Sequence, residues 1–263
     1  ATLPALVGLI PSMGGAIFSA PMIEEVSKGS GATAERKTFI NYWYRHIWEF
    51  VLPLYPALLL TAQVFGIPLG SMILLLLPVP VIAILAGWMP AFRGLDIHPT
   101  RADDPQIRQH LRDLGIGLGP VAIILLLVLV LRLNVAVAVG LVVLGLVLVH
   151  RYSPGKLARV FRESISWNVL FAVVAVLFFK EMLVASKAVG VLTPLLTSAH
   201  FPLLGLFFAL PFLVGMLTGA PQAFVGTAAP ILIGLVGASA VSPAMAAVMI
   251  VSGYGGVMLS PAH

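Results

Sequence analysis

The sequence predicts an all-α polytopic transmembrane bundle with broken helices or re-entrant hairpins, part of an inverted-repeat transporter fold. Three observations predict it. Hydrophobic residues make up 60% of the 263-residue chain and charged residues only 10%, against about 25% charged in an ordinary soluble domain; the mean hydropathy is +1.06. Apolar runs long enough to cross a bilayer, about 20 residues each, alternate with polar loops that carry most of the cations. Two Gly-Gly pairs sit at the two ends of the chain, in segments that echo each other: PSMGGAIFSAP at 11–21 and GYGGVMLSPAH at 253–263.

Taken in order, the first apolar run covers 3–23 and is interrupted by Pro4, Pro11, Gly14, Gly15 and Pro21. A polar stretch, 24–46, holds Glu24, Glu25, Lys28, Glu35, Arg36, Lys37 and Arg45. Apolar helices are expected at 47–66 and 68–90, then a charged loop at 91–113. Two more helices, 114–131 and 134–150, are joined by the short turn Arg132-Leu133-Asn134. Residues 151–165 are basic. Within 156–167, Leu157, Val160, Phe161 and Ile165 share one helical face opposite Lys156, Arg159 and Arg162, the pattern of an interfacial helix. A helix follows from Ser166 to Ala185. From 188 to 263 there is no Asp, Glu, Lys or Arg. This stretch reads as a helix at 202–217, a broken segment TGAPQAFVGTAAP at 218–230, and a last apolar run at 243–259.

The cations set an orientation. Of the 15 Lys and Arg, Lys28, Arg36, Lys37 and Arg45 fall in one loop, Arg93, Arg101, Arg108 and Arg112 in a second, and Arg151, Lys156, Arg159 and Arg162 in a third. The intervening turns are nearly free of them, as the positive-inside rule requires when loops 24–46, 91–113 and 151–165 are cytoplasmic. Trp43, Trp48, Trp88 and Trp167 all lie beside these loops, where an aromatic belt belongs. The expected location is the cell inner membrane, multi-pass. The net charge of +5 is explained by topology and calls for no nucleic-acid partner.

Broken membrane segments free backbone groups that lipid cannot satisfy, so they must be buried in protein or line a polar cavity. Paired broken segments in corresponding halves are the sequence signature of a carrier's binding site. The candidate substrate-binding residues are therefore Ser12, Gly14, Gly15 and Ser19 in the first motif, Thr218, Gly219, Gln222 and Thr227 in the middle segment, and Gly255, Gly256 and Ser260 in the last. Glycine admits close approach of the backbone, half-helix N-termini favour an anion, and freed carbonyls suit Na⁺. Taken singly, each glycine also fits plain helix–helix packing, and each hydroxyl a bond to its own helix. Lys180, Glu181 and His263 are the coupling or proton-carrier candidates. Glu49, with Arg45 and His46 one turn before it, reads as an interfacial ion cluster, while Glu24 and Glu25 read as solvated loop residues, with a proton-carrier role as the alternative.

An odd number of crossings between the two Gly-Gly motifs would place them in opposite orientations, as an inverted repeat requires. The expected organisation is a single transmembrane domain over 1–263, a fragment of a longer protein, with 1–23 the end of a first-repeat core and 114–263 most of a second repeat. No HExxH, phosphate-binding or dinucleotide motif occurs. Ser252-Gly253 with His200 or His263 is too little to define a serine nucleophile and its base. Absence of cysteine excludes disulfides and thiolate metal sites. No catalytic residue, metal site or cofactor is expected.

Four blocks carry a resemblance: IPSMGGAIFSAPMIEE (10–25), FINYWYRHIWE (39–49), FFKEML (178–183) and GYGGVMLSPAH (253–263). With them the chain resembles an uncharacterised prokaryotic membrane family, domain of unknown function number 401, which looks related to the ion-transporter superfamily of gluconate, citrate and dicarboxylate carriers. The resemblance implies re-entrant hairpins, alternating access, and H⁺ or Na⁺ coupling to anion transport, with the Gly-Gly-Ser segments at the repeat interface. The Ser-Asn-Thr type of motif of the dicarboxylate carriers is lacking, so their Na⁺ sites do not carry over. The expected function is secondary transport of a small organic anion, with the lipid bilayer and a second copy of the chain as partners. The alternative is a non-transporting membrane protein, either an intramembrane enzyme or an assembly scaffold.

Overall fold

A computed structural model describes residues 2–9, 15–95, 107–186, 202–237 and 240–262. The described residues are all-helical, with no strand among them. They divide into two compact units, taken here one at a time: residues 1–52 with 77–149, and residues 53–76 with 150–263.

The first unit contains α1 (Thr2–Val7), α2 (Gly15–Val26), α3 (Ala34–His46), α6 (Pro78–Phe92), α7 (Ile107–Leu129) and α8 (Val135–His150). Helix α3 packs against α1, α2 and α6. The stretch expected as a polar loop, 24–46, is thus largely helix. Its start is fixed by Thr33, whose hydroxyl accepts from Arg36 N at 3.3 Å. The reason it folds as a packed element is its second half: Ile40, Tyr44 and Ile47 are buried with Ile23 and Ala91 in one apolar cluster. Charges at its first turns stay outside, where Lys37 meets Glu24 at 2.8 Å and Arg36 donates to the Arg93 carbonyl at 2.8 Å.

Two of the tryptophans expected in an aromatic belt, Trp43 and Trp48, pack against this cluster. Trp43 donates its indole N–H to the Ala83 carbonyl and Trp48 to the Ala5 carbonyl, both at 2.8 Å. Trp43 lies so close to α6 that a Cβ on Gly87 would stand 2.4 Å from Nε1. Trp88 and Trp167 are exposed. The turn between α7 and α8 forms as read, with Arg132 left-handed at φ 53° and Asn134 Oδ1 accepting from Ala136 N at 2.9 Å.

The second unit contains α4 (Pro56–Phe65), α5 (Leu69–Leu76), α9 (Pro154–Ser164), α10 (Trp167–Ala185), α11 (Leu203–Thr218), α12 (Pro221–Val236) and α13 (Pro243–Met258). The helix expected at 47–66 is shortened to Pro56–Phe65. Pro53 and Pro56 bias the residues before them away from the helical region and leave 47–55 irregular. Helix α12 is central, packing on α4, α10, α11 and α13. Helix α9 covers most of the amphipathic stretch, and none of its residues is buried; Phe161 is 74% exposed.

Among the described residues one helix, Leu69–Phe92, is long and apolar enough to cross a membrane, with 24 residues and hydropathy 2.5. Shorter apolar helices include Gly115–Leu129, Val135–His150, Leu203–Thr218, Pro221–Val236 and Pro243–Met258. Large hydrophobics lie exposed along them, among them Leu85, Val149, Phe178 and Leu217, while Ser19, Asn41, His46, Glu49, Thr61 and Ser252 are buried.

Candidate functional site

The last Gly-rich motif is not a break. Helix α13 runs without interruption through Gly253, Gly255 and Gly256 to Met258. The glycines are needed for packing. A Cβ on Gly256 would stand 2.0 Å from the Phe212 carbonyl oxygen, and one on Gly215 would stand 2.3 Å from the Gly253 carbonyl oxygen. A Cβ on Gly253 would strike the Phe224 ring at 2.4 Å. Backbone therefore meets backbone along the α11–α13 seam, as small residues permit. Ser252 reinforces it, donating to the Phe207 carbonyl at 3.3 Å and sharing its own turn's Met249 carbonyl at 3.1 Å. The pairs Phe207 with Ser252 and Phe212 with Gly256 advance together, so α11 and α13 run parallel.

The middle segment breaks at one point only. Helix α11 ends at Thr218, and Gly219 caps it in the left-handed conformation, φ 63°, with its N–H on the Gly215 carbonyl. After Ala220, Pro221 opens α12 at its first turn, where a missing N–H costs nothing. The remainder of 218–230 is helical through Pro230.

This geometry gathers Thr218, Gly219, Gln222, Gly255, Gly256 and Ser260 toward one end of the α11–α12–α13 layer. Thr218 is exposed and donates to its own helix at Val214, 2.7 Å away. Gln222 is half-buried in the first turn of α12 and Thr227 is exposed. Gly255 has room: a Cβ there meets only Phe212 ring atoms, at 3.9 Å. Ser260, half-buried beyond the end of α13, accepts from Ala262 N at 3.1 Å.

In the first unit, Ser12, Gly14 and the break read at 11–14 lie outside the described residues, and Gly15 is the first residue of α2. Ser19, one turn on, is completely buried and donates its hydroxyl to Asn41 Oδ1 on α3. Of the coupling candidates, Glu181 is exposed near the end of α10. Lys180 is helical with its side chain outside the described residues, and His263 lies outside them altogether. Glu24 and Glu25 are exposed and paired with Lys37 and Lys28.

The polar residues that the sequence reading undervalued lie on and just beyond α3. His46 and Glu49, taken as an interfacial cluster, have side chains only 3% and 9% exposed. His46 Nε2 stands 3.7 Å from Glu49 Oε1, and its Nδ1 lies 2.6 Å from the Tyr42 carbonyl oxygen. The Tyr42 ring tilts over the imidazole at 4.7 Å. Burial first, and the Glu49 charge second, push the Tyr42 phenol up to about 12. Asn41 had no signal beyond its place among hydrophobics on a helix. A polar side chain three residues from Tyr44 and one from Ile40, both buried, was the available clue.

Fold and site define an all-helical protein whose helices expose apolar faces and enclose polar pairs. The chain belongs to the family described as protein of unknown function (DUF401), whose model matches residues 1–263. No curated protein and no solved structure matches it.

Proposed function

We propose that the protein is a secondary active carrier of the cell inner membrane, moving a small organic anion by alternating access with H⁺ or Na⁺ coupling, within an inverted-repeat architecture related to the ion-transporter superfamily. One observation carries the reading: large apolar side chains stand exposed while a few polar and ionisable ones are buried. Leu85, Val149, Phe178 and Leu217 are exposed, whereas Ser19, Asn41, His46 and Glu49 are buried. Large exposed apolar surfaces mark protein or membrane contact, and ionisable residues enclosed by apolar helices mark ion or proton pathways. The start of α12 suits the anion, since the positive end of the helix dipole favours negative charge. Thr218 and Gln222 flank it.

A second reading, a non-transporting membrane scaffold, is favoured by the continuity of α13 through Gly253, Gly255 and Gly256. Uptake separates the two. The full-length protein in proteoliposomes, given labelled citrate, gluconate or succinate under an imposed H⁺ or Na⁺ gradient, is expected to concentrate at least one of them. Absence of gradient-driven uptake of all three, with the protein folded and inserted, would favour the scaffold.

A further inference from the structure

Within the first unit one group of side chains is unlike any other among the described residues: a histidine and a carboxylate buried side by side at the end of a helix. We infer that His46 and Glu49 form a one-proton exchange site, at which His46 Nε2 is the atom that takes up and releases the proton. In the carrier proposed above, on which this last step rests, that site is the point of proton coupling.

The assignment of the nitrogen follows from hydrogen-bond chemistry. A backbone carbonyl only accepts. The Tyr42 carbonyl oxygen, 2.6 Å from His46 Nδ1, therefore fixes the proton on Nδ1 in both charge states of the ring. That leaves Nε2 as the basic atom, and it faces Glu49 Oε1 at 3.7 Å. This is ion-contact distance rather than a hydrogen bond, so a small rotation of the carboxylate closes it when the proton arrives. Loading takes a proton from a solvent hydronium ion: an O–H bond of hydronium breaks, leaving water, and an N–H bond forms at Nε2, converting the ring to imidazolium beside the carboxylate. Unloading is the reverse, returning the proton to water and restoring the neutral tautomer.

Burial makes the pair act as one. In low dielectric, two ionisable groups at this distance titrate together, with midpoints belonging to the pair. Histidine is the side chain whose unperturbed titration falls between pH 5 and 8, and here burial and the carboxylate push it in opposite directions. Among the described residues, the elements packed against α3 carry few titratable groups. Helices α1 and α6, which pack on α3, carry no Asp, Glu, His, Lys, Arg or Tyr. Helix α2 carries Glu24 and Glu25, both exposed and ion-paired. On α3 itself are Glu35, Arg36, Lys37, Tyr42, Tyr44 and Arg45. Arg45 precedes His46 in the chain and is half-buried, and burial keeps the proton on Tyr42 throughout this range.

The test is a pH titration of the purified full-length protein, labelled with ¹⁵N at histidine, with His46→Gln used to assign the resonances. Between pH 5 and 8, His46 Nε2 is expected to gain one proton as pH falls while Nδ1 stays protonated. Glu49→Gln removes the neighbouring anion and is expected to lower the midpoint by about one pH unit; Glu49→Asp is expected to restore most of it. Deprotonation of Nδ1, no step between pH 5 and 8, or a midpoint indifferent to Glu49→Gln would overturn the site. The coupling role is read separately, in proteoliposomes loaded with a pH dye and given citrate, gluconate or succinate. Loss of substrate-driven proton entry in Glu49→Gln supports it. Unchanged proton entry overturns the coupling role alone, and failure of the wild-type protein to move any anion overturns the carrier reading while the titration still decides the site.

Discussion

Ser19 on α2 and Asn41 on α3 share a hydrogen bond in full burial, the Ser19 hydroxyl donating to the Asn41 amide oxygen. It ties the first Gly-Gly-Ser motif to the FINYWYRHIWE block, two segments that the sequence offers as separate signals. Helix α3 is where the sequence is most polar within the first unit, and it is also where that unit buries its hydrogen-bonding groups.

Removing one partner should cost more than removing both. Asn41→Leu removes the acceptor that Ser19 uses on α3, and Ser19→Ala leaves the Asn41 amide short of one bond. A buried polar group left without its partner costs about 1–3 kcal/mol, against about 0.5–1.5 kcal/mol for the bond itself. A double-mutant cycle by chemical denaturation in detergent should return a favourable coupling between the two sites. Strict additivity would mean that the bond contributes nothing.

The three glycines of the last helix should respond differently. Gly256→Ala and Gly253→Ala drive a methyl group into the Phe212 carbonyl and the Phe224 ring, and overpacking of this kind costs about 1–3 kcal/mol. Gly255→Ala meets only ordinary contacts and should be close to neutral in thermal stability. A transport defect in Gly255→Ala with unchanged melting temperature would therefore report on the pathway, which a defect in Gly256→Ala could not do.

On α6, Gly87→Ala should displace the Trp43 indole, whose Nε1 would lie 2.4 Å from the new Cβ. The expected result is a loss of about 1–3 kcal/mol and a shift in tryptophan emission as the Trp43–Ala83 bond opens. Unchanged emission and stability would show that α3 and α6 yield at this contact.

At the start of α3, the Glu35 carboxyl is held below its usual value of 4.5 by the helix's own N–H first and by the Thr33 hydroxyl second. A depressed folded-state value means that the ionised form favours folding. This contribution is complete above the unfolded value and is lost as pH falls through the folded one. Thr33→Ala removes the cap, at about 1 kcal/mol, and should raise the Glu35 midpoint seen by carboxyl NMR. No change in that midpoint would show that Thr33 does not act on Glu35.

Helix positions were largely legible in the sequence. The expected runs at 68–90, 134–150, 202–217 and 243–259 match α5 with α6, α8, α11 and α13 closely, because apolar composition and flanking Gly or Pro mark their ends. Two features were not legible. The segment 24–46 looked like a loop because its charges are dense; its helicity comes from packing of Ile40, Tyr44 and Ile47, which depends on α1 and α6 being present. The GYGG segment looked like a break because Gly favours one. Its continuity comes from the facing backbone of α11, with Phe212 and Gly215 supplying the surface that makes side chains unwelcome there. The site reading had the same limit, since Ser19 was picked for its motif whereas Asn41 and His46 become informative only once burial is known.

The backbone seam between α11 and α13 has a mechanical meaning. With no side chain lying between Phe212 and Gly256, there is nothing flexible to take up strain, and prising the helices apart would open a slot walled by peptide groups. The two helices must then travel as one strut. Any rearrangement in this unit has to be absorbed elsewhere, and among the described residues three glycines at positive φ offer joints: Gly66 between α4 and α5, Gly219 between α11 and α12, and Gly237 at the far end of α12.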